Sequence, residues 1–411
     1  MTRRVVVTGM AGISPIGQDW KSVSDCLRAG RSGIRRVDTW DDVPDFNTRL
    51  GSPVVDFEPP EHWARKKRRA MGRVSQLGAR SAELALADAD LLGDPRLSSG
   101  RVGVSFGSSS GSPPAMGVYA EKLFQGRTLR GIGANEYLQI MSHTCAANIA
   151  NLFELRGRIV STCTACTSGS QGIGFAYEMI ASGQQDVMLG GGAEELHPMV
   201  VAVFDILFST STRNDAPDAT PRPFDSDRDG LVVGEGAGCF VLEELEHAQR
   251  RGARIHAEMI GFGTNSDGQH MTNPDPAGME AVLRLALADA RLEPRDVDYV
   301  NAHGTATEVG DVAESQATQR VFGGAVPISS LKGHLGHTLG ACGALEAWMT
   351  LGMLREGWFA PTLHLEKVDE RCGRLDYIMA RPRELEAEIV MSNNFAFGGV
   401  NTSLVFRRWP S

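Results

Sequence analysis

The sequence lacks long apolar runs and an excess of positive charge. No apolar stretch reaches the roughly 18 residues that a membrane-spanning helix needs, and the run Val5–Val7 is too short for the core of a secretory signal. The formal net charge of -9 offers no basic surface to nucleic acid or to an anionic membrane. We therefore expect a cytoplasmic protein that binds neither nucleic acid nor a membrane.

Cysteine is also sparse, and its distribution excludes a disulfide framework. The 411 residues include seven cysteines, an odd number spread along the chain, and a chain without an export signal is expected to keep them as free thiols. Glycine is abundant in contrast, because 47 residues exceed the usual share of about 7%. Clusters such as Gly190–Gly192 and Gly398–Gly399 indicate tight turns, which is typical of an enzyme with functional loops.

Short apolar runs alternate with segments of helical character. The run Arg158–Val160 precedes a predicted helix over Gly169–Ser182, and in the second part Asp298–Asn301 precedes one near Asp311–Val321. Such alternation predicts parallel sheets covered by helices, which is an α/β layered fold. Because 411 residues exceed the size of one ordinary hydrophobic core, we expect two similar halves.

Two other segments have predictable surroundings. The helix predicted over Leu339–Leu354 carries four apolar residues at steps of three, four and four, which places them on one buried face. These residues are Cys342, Leu345, Met349 and Met353. The polar segment Thr210–Gly230 is rich in Asp and Pro, and we predict that it is an irregular excursion between the two halves.

A cysteine motif, Cys163–Gly169, lies where a predicted strand gives way to a helix. Free N–H groups and the positive end of the helix dipole lower the pKa of a thiol placed there, and they can also hold an oxyanion, so Cys166 is a candidate nucleophile. The alternatives are a zinc half-site with Cys163, a dithiol redox pair, and two buried structural thiols. No second Cys or His pair has zinc-ligand spacing, and a thioredoxin-like unit is not evident. Burial of both thiols explains these residues equally well when they are taken alone.

Two histidines occupy comparable positions further along the chain. His303 follows the predicted strand Asp298–Asn301, at the end where the active sites of α/β proteins collect. His337 opens the helix that contains Glu346, and Lys332 precedes it by five residues. Each histidine alone is more often a core or loop residue. A cysteine and two histidines at sheet edges, with a lysine nearby, nevertheless provide a nucleophile and two donors for an enolate oxygen.

Four motifs, spaced over nearly the whole chain, together resemble the β-ketoacyl-ACP synthase I/II family. They are Thr164–Gly169, Asn301–Thr305, Lys332–His337 and Asn394–Gly399. The resemblance implies the thiolase fold, with two pseudo-symmetric halves in a five-layer α-β-α-β-α arrangement. The first half, 1–251, would carry the nucleophilic cysteine, and the second half, 252–411, would carry the two catalytic histidines.

The resemblance also implies roles for individual residues. Cys166 accepts the acyl chain, His303 and His337 bind the malonyl thioester carbonyl and stabilise the enolate left by decarboxylation, and Lys332 and Glu346 support the histidines. The other implied residues are Phe397, whose backbone N–H joins that of Cys166 in an oxyanion hole, Phe395 in the same gate segment, and Thr272, Thr305 and Thr307 as pantetheine contacts. No cofactor and no metal is implied.

Two positions depart from the family pattern. Cys163 stands where the family requires no thiol, and we assign it no catalytic role. Ala396 stands between Phe395 and Phe397, where the family usually has glycine. This segment resembles a gate whose second phenylalanine controls the entry of acyl chains, and a methyl group restricts the positive-φ conformations that glycine adopts freely. We expect Ala396 to affect gate motion; the alternative is two packed aromatic rings beside a glycine turn.

The pattern of catalytic residues indicates the type of reaction. Histidine at both 303 and 337 resembles the elongating synthases, whereas initiating synthases resemble a Cys-His-Asn pattern and thiolases a Cys-His-Cys pattern. The expected activity is a decarboxylative Claisen condensation of malonyl-ACP with a Cys-bound acyl chain. Three stretches resemble the ketosynthases of aryl-polyene and related type II polyene pathways. These are Arg68–Arg73, Leu207–Thr210 and Gly340–Trp348.

Three alternatives to this activity stay open. The first is housekeeping fatty-acid elongation, which would use the same chemistry on different acyl chains. The second is a non-catalytic partner subunit, similar to a chain-length factor, that has retained its cysteine. The third is a Cys-dependent acyl hydrolase, which would release free acid and ignore malonyl-ACP.

The expected partners are acyl- and malonyl-loaded acyl carrier protein and a second subunit. The dimer would be either a homodimer or a heterodimer with an inactive chain-length-factor homologue. One dense basic run in this acidic chain is a candidate docking site for the acidic carrier, although a solvated helix face explains it equally well. It consists of Arg65, Lys66, Lys67, Arg68 and Arg69.

The segment Asp225–Gly230 begins like a calcium-binding EF-hand loop. Position twelve of that loop would be Gly236 instead of the required bidentate glutamate. We therefore reject calcium binding and predict a structural turn in which Asp225, Arg228 and Asp229 form internal pairs.

Overall fold

The computed structural model describes residues 2–410. Its strands are β1 Val5–Ile13, β2 Arg35–Arg36, β3 Leu50–Ser52, β4 Val102–Gly107, β5 Ile159–Thr162, β6 Val187–Glu194, β7 Val233–Gly234, β8 Gly236–Glu244, β9 Ala257–Ser266, β10 Tyr299–Asn301, β11 Pro327–Ser329, β12 Trp358–Phe359, β13 Asp376–Tyr377, β14 Arg383–Glu384, β15 Ile389–Ala396 and β16 Val400–Arg408. Its helices are α1 Trp20–Arg28, α2 Arg65–Arg68, α3 Arg73–Asp88, α4 Pro113–Ala120, α5 Ala134–Ile140, α6 Thr144–Phe153, α7 Ser168–Ala181, α8 Pro198–Ile206, α9 Leu245–Arg250, α10 Pro276–Ala290, α11 Glu308–Phe322, α12 Lys332–Leu335 and α13 Cys342–Glu356. Within residues 2–410, none of the helices has the length and apolar character needed to span a membrane.

Eleven strands form one mixed sheet, in the order β13-β11-β10-β15-β16-β9-β1-β8-β6-β4-β5. From β1 outward, β8 and β6 pair antiparallel, and β4 and β5 then pair parallel. From β9 outward, β16 and β15 pair antiparallel, and β10 and β11 then pair parallel. The same succession of pairings on both sides of the β1–β9 junction is the pseudo-symmetry that the repeated pattern predicted. The exact boundary between 1–251 and 252–411 stays a prediction.

Helices α7 and α13 lie between the two halves of the sheet. Each of them contacts strands of both halves, and they pack against each other. Strands β1 and β9 pair only over Val5–Val7 and Ala257–Met259, so the two halves of the sheet can diverge around this helical layer. Helix α3 covers the outer face of the first half, and α10 covers that of the second half. The layers are therefore α-β-α-β-α, as predicted.

Alternation along strand β8 shows why the layers form. Phe240 and Leu242 point into the core that contains α7 and α13, whereas Cys239 and Val241 point into the core that contains α3 and α6. Successive side chains of a strand lie on opposite faces of the sheet, and both faces of β8 are apolar. A strand that is apolar on both faces is buried between helices, as in other α/β sheets.

Helix α13 is buried on all sides. The prediction that Cys342, Leu345, Met349 and Met353 are core residues is confirmed, but every residue from Cys342 to Leu354 is buried. The predicted single buried face is therefore wrong. A helix in the central layer contacts a sheet on both sides, so apolar or small residues occupy its whole circumference. It ends at Gly357, whose left-handed conformation closes the last turn.

The segment Thr210–Gly230 is irregular, as predicted, apart from one short 3-10 turn at Pro217–Ala219. Its predicted location between the halves is wrong, since β7 and β8 of the first half follow it. It nevertheless reaches the second half, because the guanidinium of Arg228 donates to the Thr307 carbonyl at 3.1 Å and to the Asp369 carboxylate at 2.7 Å. The segment thus lies within the first half and contacts the second half.

Candidate active site

Cys166 lies in a 3-10 turn, Ala165–Thr167, between β5 and α7. Ala165 has a φ of 50°, a left-handed conformation that costs a non-glycine residue about 1–3 kcal/mol and needs support from its surroundings. The Ser168 hydroxyl supplies part of that support. It accepts a hydrogen bond from the Thr164 N–H at 3.0 Å and donates one to the Ala165 carbonyl at 2.7 Å. The turn thus holds the Cys166 thiol, which is 5% exposed, at the start of a helix.

His337 approaches the nucleophile from the second half of the chain. It follows α12 and Gly336, whose φ of 69° turns the backbone toward the first half. The backbone N–H of Leu339 donates to His337 Nδ1 at 3.2 Å, and His337 Nε2 lies 3.0 Å from Cys166 Sγ. Because Nδ1 accepts a hydrogen bond, the ring proton of the neutral imidazole is on Nε2. His337 therefore presents an N–H group to the sulfur.

His303 follows strand β10, as the sequence predicted. Its backbone N–H and that of Gly304 donate to the Glu314 carboxylate at 2.7 Å and 2.6 Å. The ring Nδ1 lies 3.2 Å from Lys332 Nζ and 3.3 Å from Asn394 Nδ2. Both neighbours are donors, so Nδ1 accepts and the proton of a neutral ring is on Nε2. The two histidines thus have the same tautomer.

The three predicted catalytic side chains meet in one place. Cys166 Sγ and one ring nitrogen from each of His303 and His337 lie within 4.8 Å of one another, and the two imidazole rings are 5.0 Å apart between centroids. All three residues line a single cavity. One small acyl or malonyl group can therefore contact all three side chains at once.

Lys332 and Glu346 form a buried ion pair beneath His303. Lys332 Nζ lies 2.5 Å from Glu346 Oε1, and Asn394 Nδ2 donates to Glu346 Oε2 at 2.7 Å. Burial lowers the pKa of Lys332, but Glu346, Cys342 and Glu314 together outweigh this effect and the net shift of the pKa is upward. Lys332 therefore stays cationic and keeps a donor on His303 Nδ1. The supporting role that the family resemblance implied for Lys332 and Glu346 stays a prediction.

The acid–base properties of Cys166 and the two histidines differ from the prediction. Burial raises the pKa of the Cys166 thiol to about 12, although the charge of Lys332 and the N–H groups of Cys166 and Phe397 act in the opposite direction. Burial and the Lys332 cation lower the pKa of His303 and His337 well below the usual value. The predicted fall in the Cys166 pKa is wrong, because removal from water penalises the thiolate more than the helix start stabilises it. At rest the site holds a neutral thiol and neutral imidazoles.

This resting state predicts the pH dependence of alkylation. Only the thiolate reacts with iodoacetamide, so below a pKa of about 12 the rate at Cys166 is expected to rise about tenfold per pH unit between about pH 7 and 10. The measurement is mass spectrometry of the Cys166 peptide after timed alkylation. A rate that levels off below about pH 8 would instead indicate a thiolate–imidazolium pair.

The gate segment, Phe395–Phe397, lines the same cavity as the catalytic side chains. Phe395 packs edge-on against His303, and Phe397 packs against Phe204 with 5.2 Å between ring centroids. Ala396 is the last residue of β15 and pairs with Val400, so its extended backbone tolerates a methyl group. The positive φ angles of this turn belong to Gly398 and Gly399. In this conformation, Ala396 therefore does not strain the gate; its effect on gate motion stays a prediction.

The predicted pantetheine contacts differ in exposure, since Thr272 is exposed and Thr305 is buried. Thr272, Thr305 and Thr307 line the same cavity as Cys166, and the hydroxyls of Thr305 and Thr307 are 2.8 Å apart. His270 holds the first of these loops, because its Nδ1 accepts from the N–H groups of Thr272 and Asn273 at 3.1 Å and 3.0 Å. These hydroxyls can exchange hydrogen bonds with an amide-containing arm in the cavity.

The basic run forms one turn of helix, α2, and its members differ in accessibility. Arg65, Lys66 and Arg69 are exposed, whereas Lys67 turns back and donates to the carbonyls of Asn151 and Leu152 at 2.8 Å and 3.1 Å. Lys67 therefore ties α2 to α6. The cations available to a partner are mainly those of Arg65, Lys66 and Arg69.

The other sequence motifs have structural surroundings. Cys163 is exposed and its Sγ lies 3.2 Å from the Ser109 carbonyl oxygen, so the alternative of two buried thiols is wrong for Cys163. Asp225 accepts from the Arg222 guanidinium and from the backbone N–H of Asp227. Arg228 and Asp229 also bond within the protein. These three residues are thus paired within the protein, with side-chain partners that lie outside the turn.

Several residues of the site were not predicted from the sequence. Glu314 anchors the backbone of His303 and Gly304, and burial raises its pKa to about 8. Asn394 contacts both His303 and Glu346, and Phe204 packs between Phe397 and His337. Asn394 lies in a motif that carried the resemblance, so that motif was the available signal. The local sequence around Glu314 and Phe204 contains no such signal.

Comparison with known proteins places the chain in a family. The fold and the Cys-His-His cavity define a thiolase-fold enzyme of acyl transfer. Residues 2–248 match the model of the β-ketoacyl synthase N-terminal domain, and residues 256–366 match that of the C-terminal domain. The chain therefore belongs to the β-ketoacyl synthase family and is an acyl-transferring condensing enzyme.

Individual relatives agree with this assignment. The chain is 39% identical over 414 residues to 3-oxoacyl-[acyl-carrier-protein] synthase 2 of Vibrio cholerae, with 99% of both chains covered. It is 56% identical to a β-ketoacyl synthase from Burkholderia phymatum, whose crystal structure superimposes with a TM-score of 0.98 over 99% of this chain and 100% of that one. The structure of the ishigamide ketosynthase/chain length factor is 34% identical, with a TM-score of 0.91 over 100% of both chains. These structures confirm the predicted thiolase fold.

Proposed function

We propose that this chain is a β-ketoacyl-ACP synthase that carries its acyl chain on Cys166 and condenses it with malonyl-ACP. One observation carries the proposal: a thiol and one ring nitrogen from each of two imidazoles, contributed by distant parts of the chain, converge within 4.8 Å in one cavity. An acyl hydrolase would need a water held by a base at the thioester. Both histidines have a low pKa and are neutral, as such a base must be. Their Nε2–H tautomers, however, make them donors and not acceptors at the thioester.

The first step is transfer of the acyl chain from the carrier. Cys166 Sγ attacks the thioester carbonyl, the N–H groups of Cys166 and Phe397 hold the oxyanion, and His337 Nε2–H stabilises the sulfur as it loses its proton. The bond to the pantetheine sulfur breaks, and that sulfur leaves as a thiol with the proton that Cys166 has lost. The acyl chain on Cys166 and the incoming malonyl group are then positioned in one pocket, which lowers the entropic cost of the next step.

The second step is decarboxylation of malonyl-ACP. His303 and His337 donate from Nε2 to the thioester carbonyl oxygen, so the electrons of the breaking bond to the carboxylate are held as an enolate while CO2 leaves. The enolate carbon then attacks the acyl thioester on Cys166. The new carbon–carbon bond displaces Cys166, which recovers a proton from solvent, and 3-oxoacyl-ACP is released.

The acyl substrate of this reaction is a finer proposal. We propose a polyenoyl or aryl-primed chain of an aryl-polyene or polyene type II pathway, because Arg68–Arg73, Leu207–Thr210 and Gly340–Trp348 resemble such ketosynthases and Ser209 of the second stretch lines the cavity. Housekeeping fatty-acid elongation is the second candidate, favoured by the names of relatives such as that from Vibrio cholerae. Competition between saturated and polyenoyl acyl-ACP for Cys166, followed by intact mass, decides between them.

The second subunit is proposed to cover the free edge of the sheet. Strand β5 ends the eleven-stranded sheet, and Ile159 on it is half exposed; an uncovered edge strand is a template for pairing. Phe124, Leu129 and Tyr137 add further exposed apolar surface. We propose a homodimer or a heterodimer with a chain-length-factor homologue, as the ishigamide structure contains. Native mass spectrometry of the chain, with and without such a homologue, distinguishes the two.

The exposed cations of α2 are proposed to dock the acidic carrier. In a double variant, Lys66→Glu with Arg69→Glu, we expect KM for acyl-ACP to rise about tenfold at low salt with kcat nearly unchanged, because charge steering acts on encounter. Steady-state kinetics at about 0.02 M and 0.3 M salt measure this change. The matched control reverses Arg295 and Arg381, which are also exposed. Equal KM values in the two double variants would remove α2 from the docking surface.

A further inference from the structure

Glu194 is a buried carboxyl group that contacts two catalytic segments of the chain. It is the last residue of β6 and has no exposed surface. Its Oε2 accepts hydrogen bonds from the backbone N–H of Ser109 at 3.0 Å and from that of Gly340 at 3.1 Å. Ser109 follows strand β4 of the first half, whereas Gly340 belongs to the turn between His337 and α13. One carboxyl oxygen therefore joins loops that come from different halves.

Gly340, whose N–H donates to Glu194, is adjacent in the chain to the residue that hydrogen-bonds the His337 ring. Leu339 precedes Gly340, and its N–H donates to His337 Nδ1 at 3.2 Å. That hydrogen bond sets the ring tautomer and aims Nε2 at Cys166 Sγ, 3.0 Å away. The backbone of Leu339 is left-handed, with a φ of 45°, and such a conformation persists only where the surroundings hold it. Glu194 supplies a hydrogen bond at the adjacent residue.

The contact with Ser109 leads to the nucleophile turn. The Ser109 carbonyl oxygen lies 3.2 Å from Cys163 Sγ, at the start of the segment that carries Cys166. The two turns also touch directly, because a Cβ built on Gly169 would lie 2.9 Å from the Gly340 carbonyl oxygen. A Cβ on Gly192 would lie 2.2 Å from the same atom. The backbone at Gly340 therefore packs directly against the start of α7 and against β6, and Glu194 closes one side of this contact.

We propose that Glu194 is a positioning residue that holds the His337 turn against the Cys166 turn and so sets the contact between His337 Nε2 and Cys166 Sγ. This inference rests on the proposed function. The carboxyl group is costly to bury, since burial raises its pKa to about 7, and its Oε1 has no hydrogen-bond partner within residues 2–410. Its polar interactions are the two backbone N–H contacts through Oε2 and the neighbouring Ser109 hydroxyl.

The neighbouring Glu195 provides a matched control. It is equally buried, and burial raises its pKa to about 7 as well. Its hydrogen bonds go to the backbone N–H of Val74 at 2.7 Å and to the Ser112 hydroxyl at 3.4 Å. Val74 belongs to α3, on the outer face of the sheet. Substitution of Glu195 thus alters a similar buried carboxyl group but leaves the hydrogen bonds of the His337 turn unchanged.

The experiment compares aspartate and glutamine at both positions. Glu194→Asp keeps the carboxyl group but withdraws its oxygen from both N–H groups, and we expect acyl transfer to Cys166 to slow by about 10- to 100-fold, as for a misplaced catalytic group. Glu194→Gln keeps an acceptor oxygen at full reach and should restore the rate to within about threefold. Glu195→Asp and Glu195→Gln should both stay within about threefold of the parent protein. Intact mass gives the transfer rate, and thermal unfolding with circular dichroism gives the folded fraction by which it is normalised.

Each outcome bears on one statement. Slow transfer in Glu194→Asp alone, with rescue in Glu194→Gln, supports the positioning role. Equal rates per folded molecule in Glu194→Asp and Glu195→Asp would overturn it, and so would a loss in Glu194→Gln as large as in Glu194→Asp. If the parent protein accepts no acyl chain from acyl-ACP, the proposed function fails instead. Should Glu194→Asp not fold, the Glu194→Gln rate still decides, because a tenfold loss there contradicts the proposal.

Discussion

Replacement of Cys166 by alanine is expected to abolish the acyl-protein adduct and to lower the condensation rate by about 10⁴- to 10⁶-fold, as for other nucleophile deletions. The reason lies in the geometry of the cavity. The N–H groups of Cys166 and Phe397 stabilise negative charge at the sulfur and lower its pKa, so an acyl group bound to that sulfur lies beside these two donors. Without the sulfur, the acyl chain and malonyl-ACP no longer share one pocket. Intact-mass analysis after incubation with acyl-ACP measures the adduct, and release of 3-oxoacyl-ACP measures condensation.

The same variant should keep part of its chemistry. His303 and His337 still present their Nε2–H groups to a thioester carbonyl, so Cys166→Ala should continue to release CO2 from malonyl-ACP. The matched control is Cys372→Ala, which removes a buried thiol from another core, against Ser315, and should leave both activities within about twofold. An adduct that persists in Cys166→Ala, on any of the other thiols, would refute the assignment of the nucleophile. Release of free acid by the parent protein would point to a hydrolase.

Much of the site could be predicted because its chemistry lies in short motifs. Cys166 stands at a strand-to-helix turn, and His303 follows a strand, so the local sequence already places both at edges of the sheet. The pairing order of β1 and β9 with their neighbours then brings those edges together. Sequence could not show that Glu194 joins the two turns, since its partners Ser109 and Gly340 are 85 and 146 residues away. Contacts at such separation leave no periodic signal.

The protonation state of Cys166 was predicted wrongly for a related reason. The positive end of α7 can be inferred from where a helix starts, but the extent of burial cannot. Cys166 lies under residues from α8, such as Phe204, and from the turn before α13, such as Leu339. These segments remove water from the thiol, and the cost to the thiolate exceeds what the helix start provides. Burial is a property of the assembled layers, and a motif does not contain it.

The two histidines are expected to fail in different ways when each is replaced by alanine. In His337→Ala, both acyl transfer to Cys166 and CO2 release should fall by about 10²- to 10³-fold, the usual cost of losing one donor to a developing oxyanion. His337 Nε2 lies 3.0 Å from the sulfur, so it serves both steps. In His303→Ala, CO2 release should fall by the same factor, while the adduct should still form within about fivefold of the parent rate. His303 turns its Nδ1 to Lys332 and Asn394, and it is not hydrogen-bonded to Cys166.

The comparison depends on measuring both partial reactions in each variant. Adduct formation is followed by intact mass with acyl-ACP alone, and CO2 release is followed with malonyl-ACP alone. His62→Ala is the control, because this imidazole is largely exposed beside Glu83 and should affect neither reaction. If His303→Ala and His337→Ala lost the two reactions in equal measure, the histidines would act as one unit. The different hydrogen bonds of their Nδ1 atoms would then not give the histidines different roles in acyl transfer and decarboxylation. The proposed acyl-transfer step, in which His337 alone assists Cys166, would be wrong.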